Sequence, residues 1–281
     1  MVLTIKRERV INKMLIYFSI TVITIILVFP FIWMLSTSLK DKTEIFSIVP
    51  KLIPNNITFE NYKRMWFDFK FYIYLKNSII VSIFTTIISL IISTFLSYGL
   101  SRFKFRGKTV IFNLLILTQM FPLPLLIITI YIKFVDFKLV DSLLGLIITY
   151  FTFAVPFSTL ILKSYFDALP YELEEAAAID GCSPISTIFK IIIPLSAPGI
   201  VAVGLFSFIL SWQEFMMALT LIRTTEMRTL PVAINMMIGV REIFWGPLMA
   251  GTTVVTLPVV IVFIYVQKHI ISGLTMGAVK G

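Results

Sequence analysis

The chain has 281 residues, 58% of them hydrophobic and only 14% charged, with a mean hydropathy of +0.96. Ordinary soluble domains carry about 25% charged residues, and a soluble core of this size cannot hide so much apolar surface. The composition therefore excludes a water-soluble globular domain and points to a bilayer, where helices satisfy their own backbone hydrogen bonds. The formal net charge of +9 gathers in the connections between apolar runs, where Lys and Arg meet lipid headgroups; no nucleic-acid partner is expected. The single cysteine, Cys182, excludes an intramolecular disulfide and any multi-cysteine metal site. A lone His269 leaves little for metal catalysis, so no metal site is expected.

Six windows reach the roughly 20 apolar residues that a crossing needs. The first, 14–35, follows Lys6, Arg7, Arg9 and Lys13. Its uncharged run exceeds the about 7–15 residues of a signal-peptide core, so a retained helix is expected. The second, 78–100, leads into a short basic link with Arg102, Lys104, Arg106 and Lys108. The third, 110–132, contains Pro122 and Pro124, which remove backbone donors and either kink the span to open a cavity or accommodate packing. The fourth is 143–162, the fifth 199–222 and the sixth 245–266; only the fifth carries a charge, at Glu214. No low-complexity linker separates them. The expectation is an all-α membrane protein, one transmembrane domain over 1–281, with six helices and both termini on one side. Lys and Arg divide evenly between the two sides, but their density before the first span and in 101–109 favours cytoplasmic termini.

Between the fourth and fifth windows, 163–198 carries the punctuation of two short helices. Pro170 suits a first turn, Glu172, Glu174 and Glu175 suit the positive N-terminal end, and Gly181 can close the helix in a left-handed cap. Ser183 is an N-cap candidate with Pro184 at the first position, and Pro194 ends the second segment. On the first helix, at about 171–180, Ala176 and Ala177 let another surface approach the backbone, while Glu175 and Asp180 offer carboxylates to a basic partner. A docking knob and a solvated acidic helix fit these residues equally.

The run Glu175-Ala176-Ala177, then Gly181, Ile191, Ile193 and Pro194, resembles the pattern E-A-A-x-x-x-G-x9-I-x-L-P of the membrane subunits of ATP-binding-cassette importers. Ile193 replaces the usual leucine, a volume-conserving change. The likeness extends to Leu117-Thr118-Gln119-Met120-Phe121-Pro122, to Ser211-Trp212 with Glu214-Phe215, and to the tail 273–281, and is similar to the carbohydrate branch with maltose-permease-like subunits. Gln213 stands where that branch carries asparagine. The resemblance implies that 163–198 is a cytoplasmic coupling loop, with Glu175, Ala176, Ala177, Asp180, Gly181, Ile191 and Pro194 docking on an ATPase. It implies a multi-pass subunit of the cell (inner) membrane, forming half of a sugar pathway with a second permease subunit. It implies two cytoplasmic ATP-binding subunits that use ATP-Mg, an extracytoplasmic solute-binding protein, and no cofactor on this chain. The loop after the fifth span would approach the binding protein, and the tail would reach between the ATPases.

Gly107-Lys108-Thr109 resembles the end of a phosphate-binding loop, but Arg102 stands where its first glycine belongs, and no strand precedes it. An intramembrane enzyme would need a base or metal cluster, and the spans contain no histidine. A proton-coupled secondary transporter using Glu214 is the alternative, because an intramembrane carboxylate points to function by default. Gln119 can bond a sugar hydroxyl or link helices. Trp212 can stack on a sugar ring or anchor the interface. With Gln213 and Glu214 these are the pathway candidates.

Overall fold

The structure is a computed structural model. It describes residues 2–239 and 241–278, with side-chain environments for 12–239 and 241–267. The resemblance at the tail 273–281 and the environment of His269 therefore lie outside the described side chains. Val279, Lys280 and Gly281 lie outside the described residues altogether.

In chain order, α1 (Val2–Ser38), α2 (Lys42–Ile45) and α3 (Glu60–Lys63) precede the long α4 (Phe71–Arg102). A bent pair follows, α5 (Lys108–Met120) and α6 (Leu123–Asp136), then α7 (Leu143–Asp167). The next loop holds α8 (Glu172–Ile179), α9 (Pro184–Thr187) and α10 (Ile193–Leu195). Then come α11 (Ala197–Gln213), α12 (Met216–Leu221), α13 (Leu230–Met236) and α14 (Trp245–Ala278). Among the described residues the chain is helical throughout, apart from connections and one isolated antiparallel bridge between Ile238 and Ile243.

Four helical segments are long and apolar enough to cross a membrane: Asn12–Ser38, Phe71–Arg102, Leu143–Asp167 and Trp245–Gln267. Two bent pairs raise this to six if each is one span: Lys108–Met120 with Leu123–Asp136 at 103°, and Pro184–Leu195 with Ala197–Gln213 at 86°. The third apolar window is therefore not one straight helix. Phe121 is extended, as a residue before proline prefers, and Pro124 sits in the first turn of α6, where a missing N–H costs no bond. The fifth window is interrupted too, because Glu214 is extended between α11 and α12.

The described residues fall into two compact units, one within Met1–Lys70 and Met237–Thr256, the other within Phe71–Met236 and Leu257–Gly281. In the second, α4 packs on α7 and α11. Through the middle of α4 the buried face is built from small hydroxylated residues, Ser82, Thr85, Ser89, Ser93, Thr94 and Ser97, while Ile83, Ile87, Ile91 and Phe95 are exposed; large buried side chains, Phe71, Tyr74, Val81, Tyr98 and Leu100, stand toward its ends. Lipid is as apolar as Leu, so burying Leu against another helix gains little, and association depends on close backbone approach instead. Ser97 Oγ donates to the Thr159 carbonyl at 2.9 Å. At Gly199 a Cβ would stand 2.7 Å from the Tyr165 ring, so α11 meets α7 there only as glycine.

In the first unit, the buried Asn61 amide donates to the carbonyls of Ser38 at 2.9 Å and Lys40 at 2.7 Å, capping the end of α1. Gly246 lies against that side chain, and any Cβ there would collide with it. Phe69 meets Phe244 edge-on at 5.4 Å, and Lys42 pairs with Glu242 at 2.7 Å.

Candidate functional site

The loop between α7 and α11 follows its punctuation at Gly181, Ser183 and Pro184, whereas Pro170 stands one residue before the N-cap Tyr171 and Pro194 lies inside α10 rather than ending the second segment. Gly181 takes φ +81°, its N–H donates to the Ala178 carbonyl at 3.1 Å, and the Cys182 N–H donates to the Ala177 carbonyl at 2.9 Å. These are the two hydrogen bonds of a left-handed helix cap. Ser183 then accepts from the Ser186 N–H at 3.3 Å, with Pro184 at the first position of α9. The residues of the repeated pattern separate into two faces. Glu175, Ala176, Asp180 and Gly181 are exposed, whereas Ala177 is 4% exposed and turns inward. Ile191 is half-buried in a wide π turn, Ile188–Ile192, and Pro194 is exposed. The buried neighbours Ile188 and Ile192 pack with Tyr98, Leu162, Phe166 and Val203.

One acid of α8 does not face solvent. The Glu174 carboxylate, 13% exposed, pairs with the Arg102 guanidinium, 4% exposed, at the end of α4. The Tyr98 hydroxyl donates to the other Glu174 oxygen at 2.8 Å. Arg102 also donates to the Leu169 carbonyl at 3.2 Å and lies 4.5 Å from the centre of the Tyr171 ring. Ser101 donates to Asp167 at 2.6 Å, and Lys163 bonds the same carboxylate at 2.5 Å. Three element ends, of α4, α7 and α8, are thus cross-braced by charge-assisted bonds. Gly107, with φ +93°, starts α5 as a turn after this brace, which is the place of the Gly-Lys-Thr tripeptide.

The pathway candidates disperse. Gln119 lines a cavity of about 420 Å³ between the α5–α6 bend and α7, together with Thr118, Phe121, Thr149, Thr152 and Pro156. Trp212, Gln213 and Glu214 do not line it. Trp212 is 2% exposed and stacks on Phe208 at 5.4 Å; Gln213 is exposed. Glu214 caps α12, accepting from the N–H groups of Met217 at 2.9 Å and Ala218 at 3.2 Å and from the Tyr150 hydroxyl at 2.7 Å. A carboxylate at a helix N-terminus is stabilised by the unsatisfied N–H groups and the dipole.

A further acid escaped sequence reasoning. Asp141 accepts from the Thr224 hydroxyl at 2.5 Å, the Thr224 N–H at 2.8 Å and the Arg223 N–H at 2.9 Å, while its own N–H donates to the Leu221 carbonyl at 2.8 Å. The bonds from Thr224, hydroxyl first and amide next, hold this carboxyl below its ordinary range. Its partners lie 80 to 83 positions away, so no local pattern marks it.

Four straight helices and two bent pairs of membrane length, with a capped and exposed acidic helix in one connection, define a polytopic membrane protein. Residues 89–275 match the family of binding-protein-dependent transport system inner membrane components. The trehalose/maltose transport system permease protein of Thermococcus litoralis is 40% identical, over 98% of this chain and 99% of that one. The diacetylchitobiose uptake system permease protein of Streptomyces coelicolor is 36% identical, over 91% and 92%. The crystal structure of a bacterial ABC transporter involved in the import of the acidic polysaccharide alginate includes a chain that superposes with a TM-score of 0.82 at 25% identity, covering 92% of this chain and 96% of that one. The chain belongs to the binding-protein-dependent transport system inner membrane component family, as a multi-pass permease subunit of an ATP-binding-cassette importer.

Proposed function

We propose that this permease carries a sugar or oligosaccharide and forms half of the pathway, paired with a second permease subunit. Two cytoplasmic ATP-binding subunits using ATP-Mg and an extracytoplasmic solute-binding protein complete the assembly. The carbohydrate assignment is supported by relatives whose names specify trehalose/maltose, diacetylchitobiose and galactooligosaccharides. Both termini and the 163–198 loop lie in the cytoplasm in this reading.

The observation that carries it is the two-faced α8. Its outer face presents Glu175, Ala176 and Asp180, and its inner face is tied to α4 through Glu174 and Arg102. An ATPase cleft that grips the outer face moves α8, and the brace passes that displacement to α4 and to the helices packed on it. Ala176 admits close approach, the carboxylates meet basic groups, and Gly181, Ile191 and Pro194 set the end of the knob. Gln119, at its cavity, is the pathway candidate best placed to meet a sugar hydroxyl. The rival, a proton-coupled carrier using Glu214, finds no support, since both carboxylate oxygens are engaged in capping α12 and in the Tyr150 bond.

Two measurements test the reading. Cys182 is the chain's only thiol and is half-buried beside the knob. A membrane-impermeant thiol reagent should label it in inverted vesicles only, and more strongly after peripheral proteins are stripped with urea; labelling from outside would refute the topology. Ala176→Trp should insert normally yet abolish transport by blocking the cleft, and wild-type transport in that variant would sink the docking assignment.

A further inference from the structure

The end of α1 and the start of α14 share a cavity that none of the pathway or coupling candidates lines. It holds about 240 Å³ and is lined by Trp33, Lys40, Glu44, Phe46, Trp245 and Met249. Lys40 is 3% exposed. Its ammonium donates to the Lys51 carbonyl and lies 4.9 Å from the centre of the Trp33 ring, with no carboxylate in ion-pair range among the described residues. A buried cation in this state retains unused N–H donors, and burying it without a counter-charge is unfavourable. Glu44, which lines the same cavity, accepts one bond from the Asn55 N–H at 2.9 Å, which leaves acceptor capacity on its carboxylate. The cavity thus carries one positive and one negative group that do not close on each other.

Depth fixes the kind of ligand. The apolar window of the first span closes at Leu35, ahead of the polar Ser36-Thr37-Ser38, and that of the last opens at Trp245. Trp33 and Trp245 therefore stand where tryptophans gather, at the boundary between hydrocarbon and headgroups. We infer that this cavity binds the headgroup of a zwitterionic aminophospholipid, with the phosphate on Lys40 and the primary ammonium on Glu44. Phe46 and Met249 meet the glycerol end. An anionic headgroup would leave Glu44 facing a like charge. A quaternary ammonium has no N–H for Glu44, and the Trp33 face that would cage it is already covered by Lys40. The inference rests on the membrane placement of these two helix ends and is independent of the cargo.

The test reconstitutes the full chain into nanodiscs of equal parts phosphatidylethanolamine, phosphatidylcholine and phosphatidylglycerol, extracts it in mild detergent, and identifies retained lipid by native mass spectrometry. Phosphatidylethanolamine should be enriched roughly fivefold or more over the other two, a modest affinity difference. Lys40→Met should abolish retention. Glu44→Gln should keep a bound phospholipid but lose the preference among headgroups. Retained lipid of bulk composition, a preference for phosphatidylglycerol or phosphatidylcholine, or an enrichment that Glu44→Gln leaves unchanged would overturn the assignment. If Lys40→Met does not insert, Glu44→Gln decides alone.

Discussion

Arg102 at the end of α4 and Glu174 on α8 form an ion pair with both side chains largely out of solvent, and Tyr98 and Leu169 satisfy what the pair leaves over. Breaking a buried pair by removing one partner costs about 3–5 kcal/mol, because it strands the other charge. Glu174→Gln and Arg102→Leu should therefore loosen α8 from α4 without removing any residue of its exposed face. In the reconstituted importer, the expected result is persistent ATP hydrolysis with transport reduced at least tenfold. The double variant Arg102→Leu with Glu174→Leu should be less unstable than either single one, since no charge is stranded. Equal losses of hydrolysis and transport would mean that the pair only maintains the fold.

Gly181 closes α8 at φ +81°. A left-handed conformation costs an L-residue roughly 1–2 kcal/mol, so Gly181→Ala should fray the last turn. Asparagine tolerates that region better, and Gly181→Asn should lie between alanine and wild type. The rate of Cys182 modification in stripped, inverted vesicles reports the fraying and should rise in the order wild type, asparagine, alanine.

Glu214 accepts from two N–H groups of α12 and from Tyr150. Losing a helix cap costs roughly 0.5–2 kcal/mol, so Glu214→Gln should lower thermal stability measurably. ATP-driven uptake should survive in the variant, and in wild type it should be insensitive to a protonophore. Uptake that collapses with the proton gradient while ATP is supplied would restore the carboxylate to the mechanism.

Asp141 holds Arg223 and Thr224, and these bonds depress its carboxyl pKa in the folded state. A group depressed on folding contributes stability that is full above its unfolded value, about 4 for Asp, and is lost as pH falls through the lower folded value. The contribution is discounted because the site is open to solvent. Exchange of the Thr224 amide, corrected for its intrinsic rate, should stay protected at neutral pH and lose protection below about pH 4. Asp141→Asn should lose most of that protection at every pH.

The helical fold, the ends of α8 and the start of α9 were legible because each rests on local signals, whereas the end of α9 at Thr187, seven residues before Pro194, was not. Apolar length predicts the spans, and Gly181, Ser183 and Pro184 impose conformations on their own neighbours. The bend at Phe121 was half legible: Pro122 and Pro124 announce a fault, but its 103° angle depends on what α5 and α6 pack against. The inward turn of Ala177 and the choice of Glu174 over Glu172 and Glu175 as the partner of Arg102 were not legible. Arg102 lies 72 positions from Glu174, and three acids in one turn look alike until the helix is docked. Helices also outrun their apolar windows. α4 begins at Phe71 rather than 78, because helical hydrogen bonding continues past the hydrocarbon edge.

The serine and threonine face of α4 inverts a familiar relation between sequence drift and location. In a water-soluble protein the large apolar residues lie inside and change slowly. Here Ser82, Ser89, Ser93 and Ser97 are fully buried at close helix contacts, whereas Ile83, Ile87 and Ile91 meet a solvent that accepts leucine, valine or phenylalanine equally. Across many descendants of this chain, the least hydrophobic positions of α4 should be the ones that natural variation leaves alone.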